Sequence, residues 1–394
     1  MPIKCPSPLA RMLAICVACS AALSTIGTRA QKPAPFSSDV VPKAGTGDYA
    51  KKAKDGEFVL HDVVFGSGEK LATLRLHYKT LGSPHRDMAG RIDNAVLVLH
   101  GTGDRSGSML TDEFAGPLFG PGDPLDIAKY YIVLPDDIGH GQSSKPSDGL
   151  HASFPHYDYD DMVQTQHRML VEGLGVTHLR LVLGVSMGGM QAFVWGETYA
   201  GFADALMPLT CLPVPIAGRN RMMRYAAMQA IRNDPAYRNG EYKTQPPSVH
   251  TANTMTFVMG SSPLVLQGAA PTRAAAEAYV DRVLAQRDAT TDANDFLYYI
   301  DSSRNYDASQ HLDRITVPIT WVNAADDFIN PPELRIAEHY APQLKKGQFV
   351  LLPITRDTRG HGTNMLATIW RPWLVALMNR SEPSHPVGHK NGRN

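Results

Sequence analysis

A Gly-x-Ser-x-Gly sequence provides the strongest candidate nucleophile in this chain. Gly184, Ser186 and Gly188 form it, directly after the apolar run 181–183 and before a helical pattern over residues 190–199. A strand-to-helix turn this tight leaves no room for side chains at the two glycines, and it projects the serine hydroxyl from the edge of a sheet. The pattern predicts that Ser186 attacks an acyl carbon. The alternative is a serine with a structural role alone.

A serine hydroxyl is a weak nucleophile, so a base and an orienting acid must accompany it. After a turn of this type the acid precedes the histidine in chain order. Asp327 follows a later strand pattern in an Asp-x-Ile-x-Pro spacing, and we predict that it is the acid. Asp326 is the alternative, and a third interpretation makes both aspartates turn residues. His361 stands between two glycines after the last strand pattern, which suits a mobile imidazole, so we predict that it is the general base.

Two backbone N–H groups are candidates for stabilising the oxyanion that forms when a serine attacks an acyl carbon. Met187 begins the helix after the nucleophile, where the helix terminus favours negative charge. Thr102 lies with Gly101 and Gly103 in a loop after the apolar run 94–99, and such a loop supplies the second donor. We predict oxyanion contacts from Met187 and Thr102 and substrate contacts from Gly101 and Gly103. An ordinary glycine turn is the alternative for this loop.

Nearly continuous apolar runs indicate the strands that must hold these groups. Two alternating segments come first, and runs typical of strands buried on both faces follow, over residues 58–65, 71–80, 94–100, 130–134, 179–183, 319–322 and 348–352. Helical patterns lie between the runs, for example over residues 160–173. This alternation predicts the α/β fold class, with a mostly parallel, doubly wound sheet.

The alternation stops over residues 213–312, which carry helical patterns and little strand pattern. We predict a helical lid there, inserted between two parts of the core at residues 56–212 and 313–380. Residues 31–55 are rich in Pro, Lys, Gly and Ala, so we expect a linker or N-terminal arm. The polar residues 381–394 are expected to form a disordered tail.

The first 30 residues predict a cleavable signal peptide. Lys4 and Arg11 precede an uncharged run over residues 12–28, and small residues follow up to Ala30. The run is short for a membrane span, although an uncleaved anchor and a leader without an export role are alternatives. We therefore expect a periplasmic or secreted protein with no membrane span in the mature chain.

Cysteine and charge content narrow the partners further. Three of the four cysteines lie in the leader, so the mature chain keeps Cys211 and has no intrachain disulfide. Lipid attachment at Cys19 is disfavoured, because Cys16 rather than Leu stands three residues earlier.

The 38 basic and 38 acidic residues cancel, so the chain has no net positive charge that would attract nucleic acid. No cysteine-rich metal motif or Gly-x-x-x-x-Gly-Lys loop occurs, so we expect neither a metal nor a cofactor.

The chain resembles the α/β-hydrolase superfamily and, more closely, the homoserine O-acetyltransferase family. The resemblance extends over about residues 58–377 and is carried by Ser-Met-Gly-Gly-Met-Gln at 186–191, Leu-Phe-Gly-Pro-Gly-Asp-Pro-Leu-Asp at 118–126 and the segments 230–237 and 295–299. Asp327 and His361 match the triad positions of that family. The resemblance implies an α/β-hydrolase fold with a helical lid, and a homodimer formed through the lid.

Two departures from the family bear on the substrate. Members that acetylate homoserine usually carry Asp after the catalytic His, where this chain has Gly362, and a lid Arg that the segment 253–259 lacks here. Without these groups an amino-acid acceptor loses its charge-assisted hydrogen bonds. An exported protein also would not normally meet acetyl-CoA.

We therefore expect a serine hydrolase that cleaves carboxylic esters of a small-molecule acyl substrate, with amides or lactones less favoured. The alternatives are an O-acyltransferase of the homoserine O-acetyltransferase type and a non-catalytic binding protein. Fold and triad alone do not separate hydrolysis from acyl transfer, because the two reactions differ in the acceptor of the acyl group.

Overall fold

Eight strands form a single sheet in the part of the chain that the computed structural model describes, residues 48–381. Their order across the sheet is β1-β2-β4-β3-β5-β6-β7-β8. The strands are β1 (Lys54–Val64), β2 (Lys70–Leu81), β3 (Ala95–Leu99), β4 (Tyr131–Pro135), β5 (Leu181–Val185), β6 (Leu206–Leu209), β7 (Ile319–Ala324) and β8 (Gly347–Leu352). The predicted leader lies outside the described residues.

The sheet is antiparallel at one edge and parallel over the rest. β1 pairs with β2 and β2 with β4 in antiparallel register, whereas every neighbouring pair from β4 through β3 to β8 is parallel. The central strands from β3 to β7 are buried at every residue. Strands of this kind need helices on both faces, which confirms the predicted α/β fold class.

The helices alternate with the strands and then occupy the lid stretch. They are α1 (Asp48–Lys52), α2 (Asp112–Phe119), α3 (Tyr159–Arg168), α4 (Met187–Thr198), α5 (Gly218–Arg232), α6 (Ser248–Gly260), α7 (Pro263–Ala269), α8 (Arg273–Asp288), α9 (Ala293–Asp301), α10 (Ile336–Tyr340) and α11 (Ala367–Arg380). A π-helical turn, Met169–Gly173, continues α3. The five helices α5 to α9 lie between β6 and β7, the stretch in which the sequence predicts the lid.

Two hydrophobic clusters cover the two faces of the sheet. On one face, Phe193 and Trp195 of α4 pack with Trp321 of β7. On the other face, Phe114 of α2 and Trp370 of α11 pack against the strands. Burial of such large side chains is the main favourable contribution to folding of the core. The segment from α5 to α9, which we call the lid, packs around separate, smaller clusters of its own.

The structure corrects the predicted boundaries at three points. The predicted linker 31–55 is too long, because α1 and the start of β1 occupy its last residues; backbone pairing with β2 holds β1 there although the sequence is polar. Ser381, the first residue of the predicted tail, is held in place because buried Arg180 donates to its carbonyl and hydroxyl oxygens. The rest of the predicted tail lies outside the described residues, as does most of the predicted linker. Strand β6 is missing from the prediction, because its four residues include Pro208 and carry little pattern.

Candidate active site

Ser186 lies in the turn between β5 and α4, at φ +53° and ψ −109°. Residues other than glycine rarely adopt positive φ, and backbone strain of this kind is typical of a nucleophile elbow. A Cβ atom on Gly184 would lie 2.0 Å from the Gly188 carbonyl oxygen, and one on Gly188 would lie 2.5 Å from the Leu99 carbonyl oxygen. Close backbone packing therefore requires both glycines.

The structure brings the three predicted side chains into one hydrogen-bonded chain. His361 Nε2 lies 2.8 Å from Ser186 Oγ, and His361 Nδ1 lies 2.9 Å from Asp327 Oδ2. Because a carboxylate accepts, Nδ1 carries the proton and Nε2 is free to accept the serine proton. The His361 side chain is 18% exposed and that of Asp327 is fully buried, so solvent reaches the imidazole and not the carboxylate.

The turn after β7 holds the Asp327 carboxylate in place. Asp327 Oδ1 accepts hydrogen bonds from the N–H groups of Ile329 at 2.8 Å and Asn330 at 3.2 Å. The Asn330 side chain donates to Oδ2 at 3.2 Å and also to the Thr210 carbonyl oxygen at 2.8 Å. These donors compensate the buried negative charge and fix the orientation of the carboxylate toward His361.

The neighbouring aspartate has different partners. Asp326 Oδ2 accepts from the Gly360 N–H at 2.9 Å and from the Ser262 hydroxyl at 3.1 Å. It therefore contacts the residue before His361 and the lid rather than the imidazole nitrogen. The geometry favours Asp327 over the alternative Asp326 as the orienting acid.

The loop after β3 lies beside the serine. A Cβ atom on Gly101 would lie 3.7 Å from the Ser186 Cβ atom. The ring of His100 holds this loop, since its Nδ1 lies 2.8 Å from the Gly101 carbonyl oxygen and its Nε2 accepts from the Asp137 N–H at 3.1 Å. Those two partners place the ring proton on Nδ1.

The two predicted oxyanion donors both lie at this junction. Met187 is the first residue of α4, where a backbone N–H has no intrahelical acceptor. The next N–H, that of Gly188, donates to the His100 carbonyl oxygen at 3.0 Å. Within residues 48–381 neither the Met187 N–H nor the Thr102 N–H meets an acceptor. Both remain available to a negatively charged oxygen bound to Ser186.

A buried polar network beneath the serine was not predicted from the sequence. Asp137 Oδ2 accepts from the Gln191 side-chain amide at 2.8 Å, and Gln166 donates to the Gln191 carbonyl oxygen at 2.9 Å. Trp195 Nε1 donates to Gln166 at 2.8 Å. The network links α3 and α4 to the turn after β4 and, through Asp137, to His100. Gln191 next to the Ser-Met-Gly-Gly-Met motif was the one local signal for it.

Polar side chains of the lid lie close to the loop after β3. Ring atoms of Tyr299 on α9 lie 3.4–3.5 Å from where a Cβ atom on Gly103 would be. Arg287 on α8 donates to the Thr256 hydroxyl at 3.2 Å, and its charge acts on Asp104 and Tyr299. Burial raises the pKa of the Asp104 carboxyl and lowers the pKa of the Arg287 guanidinium.

The ring of His140 packs between two other rings near the loop after β3. Its ring packs 4.9 Å from the His100 ring and 5.4 Å from the Tyr299 ring, measured between centroids. Burial lowers the pKa of His140 to about 3, so the side chain is neutral at physiological pH. A neutral imidazole here brings no positive charge to the loop after β3.

A family model described as alpha/beta hydrolase fold matches residues 94–353. This chain therefore belongs to the α/β-hydrolase fold family. The match spans the elbow, the lid stretch and the Asp327 turn.

Related proteins include both acyltransferases and esterases. A probable acyltransferase of Methanothermobacter thermautotrophicus is 29% identical over 279 residues, which are 70% of this chain and 84% of that protein. The structure of homoserine O-acetyltransferase from Bacillus anthracis has a TM-score of 0.73 at 19% identity, covering 84% of this chain and 98% of that one. The structure of esterase E22 has a TM-score of 0.73 at 17% identity, and the match covers 83% of this chain and 100% of the esterase chain. At such identities the structures establish the fold they share with this chain.

Proposed function

We propose that the protein is a serine hydrolase that cleaves carboxylic esters through an acyl-enzyme on Ser186. The observation that carries the proposal is the continuous chain from Ser186 Oγ through His361 to Asp327, with both hydrogen bonds within 2.9 Å. A nucleophile, a base and an orienting acid in this geometry form the arrangement that acyl transfer to serine requires.

The reaction begins when Ser186 Oγ attacks the ester carbon and His361 Nε2 takes the hydroxyl proton. The N–H groups of Met187 and Thr102 stabilise the negative oxygen of the tetrahedral intermediate. When the intermediate collapses, the C–O bond to the alcohol breaks and His361 donates its proton to the leaving oxygen. Asp327 stabilises the imidazolium that exists between these two steps.

Water completes the cycle. His361 removes a proton from a water molecule, whose oxygen attacks the acyl carbon of the acyl-enzyme. The second tetrahedral intermediate releases Ser186, which regains its proton from His361, and a carboxylic acid leaves. Amides and lactones would follow the same steps with a different leaving group.

Gly362 is the residue that favours water over an amino-acid acceptor. It follows His361 directly, and a glycine there brings no carboxylate for the amine of such an acceptor. The Asp104 carboxyl does not supply this negative charge instead, because burial raises the pKa of that group and disfavours its charged form. We therefore propose that water is the usual acceptor.

The second candidate is an O-acyltransferase, which the similarity to a probable acyltransferase and to homoserine O-acetyltransferase favours. Turnover of p-nitrophenyl acetate should be compared with CoA release from acetyl-CoA, with homoserine or serine as acceptor. We expect steady ester hydrolysis and no acceptor-dependent CoA release. CoA release that requires the acceptor would overturn the hydrolase proposal in favour of transfer.

We also propose that the enzyme acts in the periplasm or outside the cell, on the strength of the predicted leader. Among residues 48–381, no helix combines the length and apolarity needed to cross a bilayer. N-terminal sequencing of the protein recovered from the periplasm or medium tests this. A chain that starts near residue 31 supports export, and a full-length chain in the cytoplasm contradicts it.

A further inference from the structure

The junction between α6 and α7 of the lid touches the loop that carries His361. Gly360 precedes the imidazole at φ +57°, a conformation that favours glycine. A Cβ atom there would lie 3.0 Å from the Asp326 carbonyl oxygen and 3.5 Å from both the Ser261 carbonyl oxygen and the Ser262 Cβ atom. The lid therefore packs directly against the backbone of the histidine loop.

Asp326 joins these two segments with one carboxylate oxygen. Its Oδ2 accepts from the Gly360 N–H on the loop and from the Ser262 hydroxyl on the lid. The adjacent Asp327 accepts from the imidazole of His361. Two consecutive carboxylates thus hold two consecutive residues, one through the backbone and one through the side chain.

The burial of Asp326 indicates that this contact is costly to maintain. The residue is 8% exposed, and its second oxygen, Oδ1, is buried without a hydrogen-bond partner among the described residues. A buried carboxylate with an unsatisfied oxygen destabilises the folded state.

We propose that Asp326 is a positioning residue that couples the lid to His361. It holds the Gly360 backbone in the position from which the imidazole of His361 reaches both Ser186 and Asp327. Through the Ser262 hydroxyl it also links that position to the Ser261–Ser262 junction of the lid. A shift of the lid away from the core then moves His361 out of line with Ser186. This inference rests on the proposed roles of Ser186 and His361.

The test compares kcat and KM for p-nitrophenyl acetate in Asp326→Ala, Asp326→Asn and Ser262→Ala. Misplacing a catalytic group by about 1 Å costs up to about 100-fold, so we expect Asp326→Ala to lower kcat about 10- to 100-fold with KM little changed. Asp326→Asn should recover most of kcat because its amide oxygen keeps both bonds. Ser262→Ala should lower kcat a few-fold, since it removes the lid half alone.

Asp126→Ala is the matched control. Asp126 is also a buried aspartate that accepts two backbone N–H groups, from Gly122 and Ala128 at 2.9 Å each, in the loop before β4. Its loss should lower the melting temperature without changing kcat of the folded enzyme. Equal kcat losses per folded molecule in Asp126→Ala and Asp326→Ala would overturn the positioning role.

The outcomes separate this inference from the proposed function. If Ser186→Ala retains turnover, the proposed function fails. If Ser186→Ala is inactive and Asp326→Ala keeps full kcat, the positioning role alone fails. If Asp326→Ala does not fold, kcat of Ser262→Ala becomes the test of the coupling between the lid and His361. An unchanged kcat in Ser262→Ala overturns that coupling.

Discussion

The sheet and the lid are built differently although they are in contact at Asp326. Ten of the 12 residues of α4, which follows Ser186, are buried, whereas three of the 16 residues of α8 in the lid are buried. The sheet edge supplies Ser186, Asp327 and His361 from one densely packed core. Arg287 and Tyr299 come from lid helices that pack around smaller clusters. We therefore expect substitutions in the core to change the chemistry, and substitutions in the lid away from the Ser261–Ser262 junction to change substrate choice.

Removing the nucleophile should have the largest effect. We expect Ser186→Ala to lower kcat for p-nitrophenyl acetate by about 10⁶-fold, because no other group can form the acyl-enzyme. Ser67→Ala, a change at an exposed serine in the β1–β2 turn, is the control and should have no effect. Labelling by a fluorophosphonate probe that persists in Ser186→Ala would show that the nucleophile lies elsewhere.

The two adjacent aspartates of the core should differ by orders of magnitude. Asp327→Asn should lower kcat about 10⁴-fold, because an amide at this position favours the wrong imidazole tautomer. Asp326→Asn should retain most of the activity, since it keeps its oxygen acceptor. Steady-state kinetics on both variants checks the order, and the reverse order would make Asp326 the acid.

A lid substitution should change selectivity rather than chemistry. Arg287→Met should lower kcat/KM for an acetyl ester with a carboxylate in its alcohol part roughly tenfold relative to a neutral ester, which is the size of one charge-assisted hydrogen bond. The rate of fluorophosphonate labelling should stay the same. Met222→Ala, at a 71% exposed position of α5, is the lid control and should change neither quantity. A large fall in labelling of Arg287→Met would remove the distinction between core and lid.

The smallest effect concerns stability and its dependence on pH. Burial raises the pKa of Glu197, near the end of α4, from 4.5 to about 8, and its Oε1 has no partner among the described residues. The folded state therefore holds this proton more tightly than the unfolded state. The resulting stabilisation is complete below about pH 4.5 and is lost as the pH rises toward 8.

Glu197→Gln should remove this pH dependence. The melting temperature of the variant, compared with the wild type, should rise progressively between pH 5 and pH 8. The lid-side counterpart is Asp295, whose pKa is raised to about 6 by burial, so Asp295→Asn should show the same trend over a window that ends near pH 6. Differences in melting temperature that are the same at pH 5 and pH 8 would contradict the assignment for Glu197.

Much of the core was predictable because its signals are local. Apolar runs marked four of the five central strands, and the glycines around Ser186 marked the tight turn. Strand β6 was not predicted, because four residues with an internal proline carry almost no pattern. Its pairing with β5 and β7 stabilises it as a strand. The first residues of β1 escaped for a similar reason, since their pairing with β2 does not depend on an apolar pattern.

The surroundings of the candidate site were less predictable because they depend on contacts between distant segments. Asp137, Gln166 and Gln191 come from separate elements, and no spacing in the sequence relates them. Arg287 and Asp104 are far apart in the chain as well, and the path of the lid brings them into electrostatic range. Long-range pairing of this kind leaves no periodic signal.

The sequence by itself determined the tight turn around Ser186 and the alternation of strands and helices, because each depends on residues close together in the chain. It also left two aspartates as candidates for the acid. Tertiary structure decided which of them contacts the imidazole: Asp327 lies against His361, and Asp326 lies against the histidine loop and the lid. That choice depends on how a loop after β8 folds onto a turn after β7, and neighbouring residues in the chain do not encode such a distance.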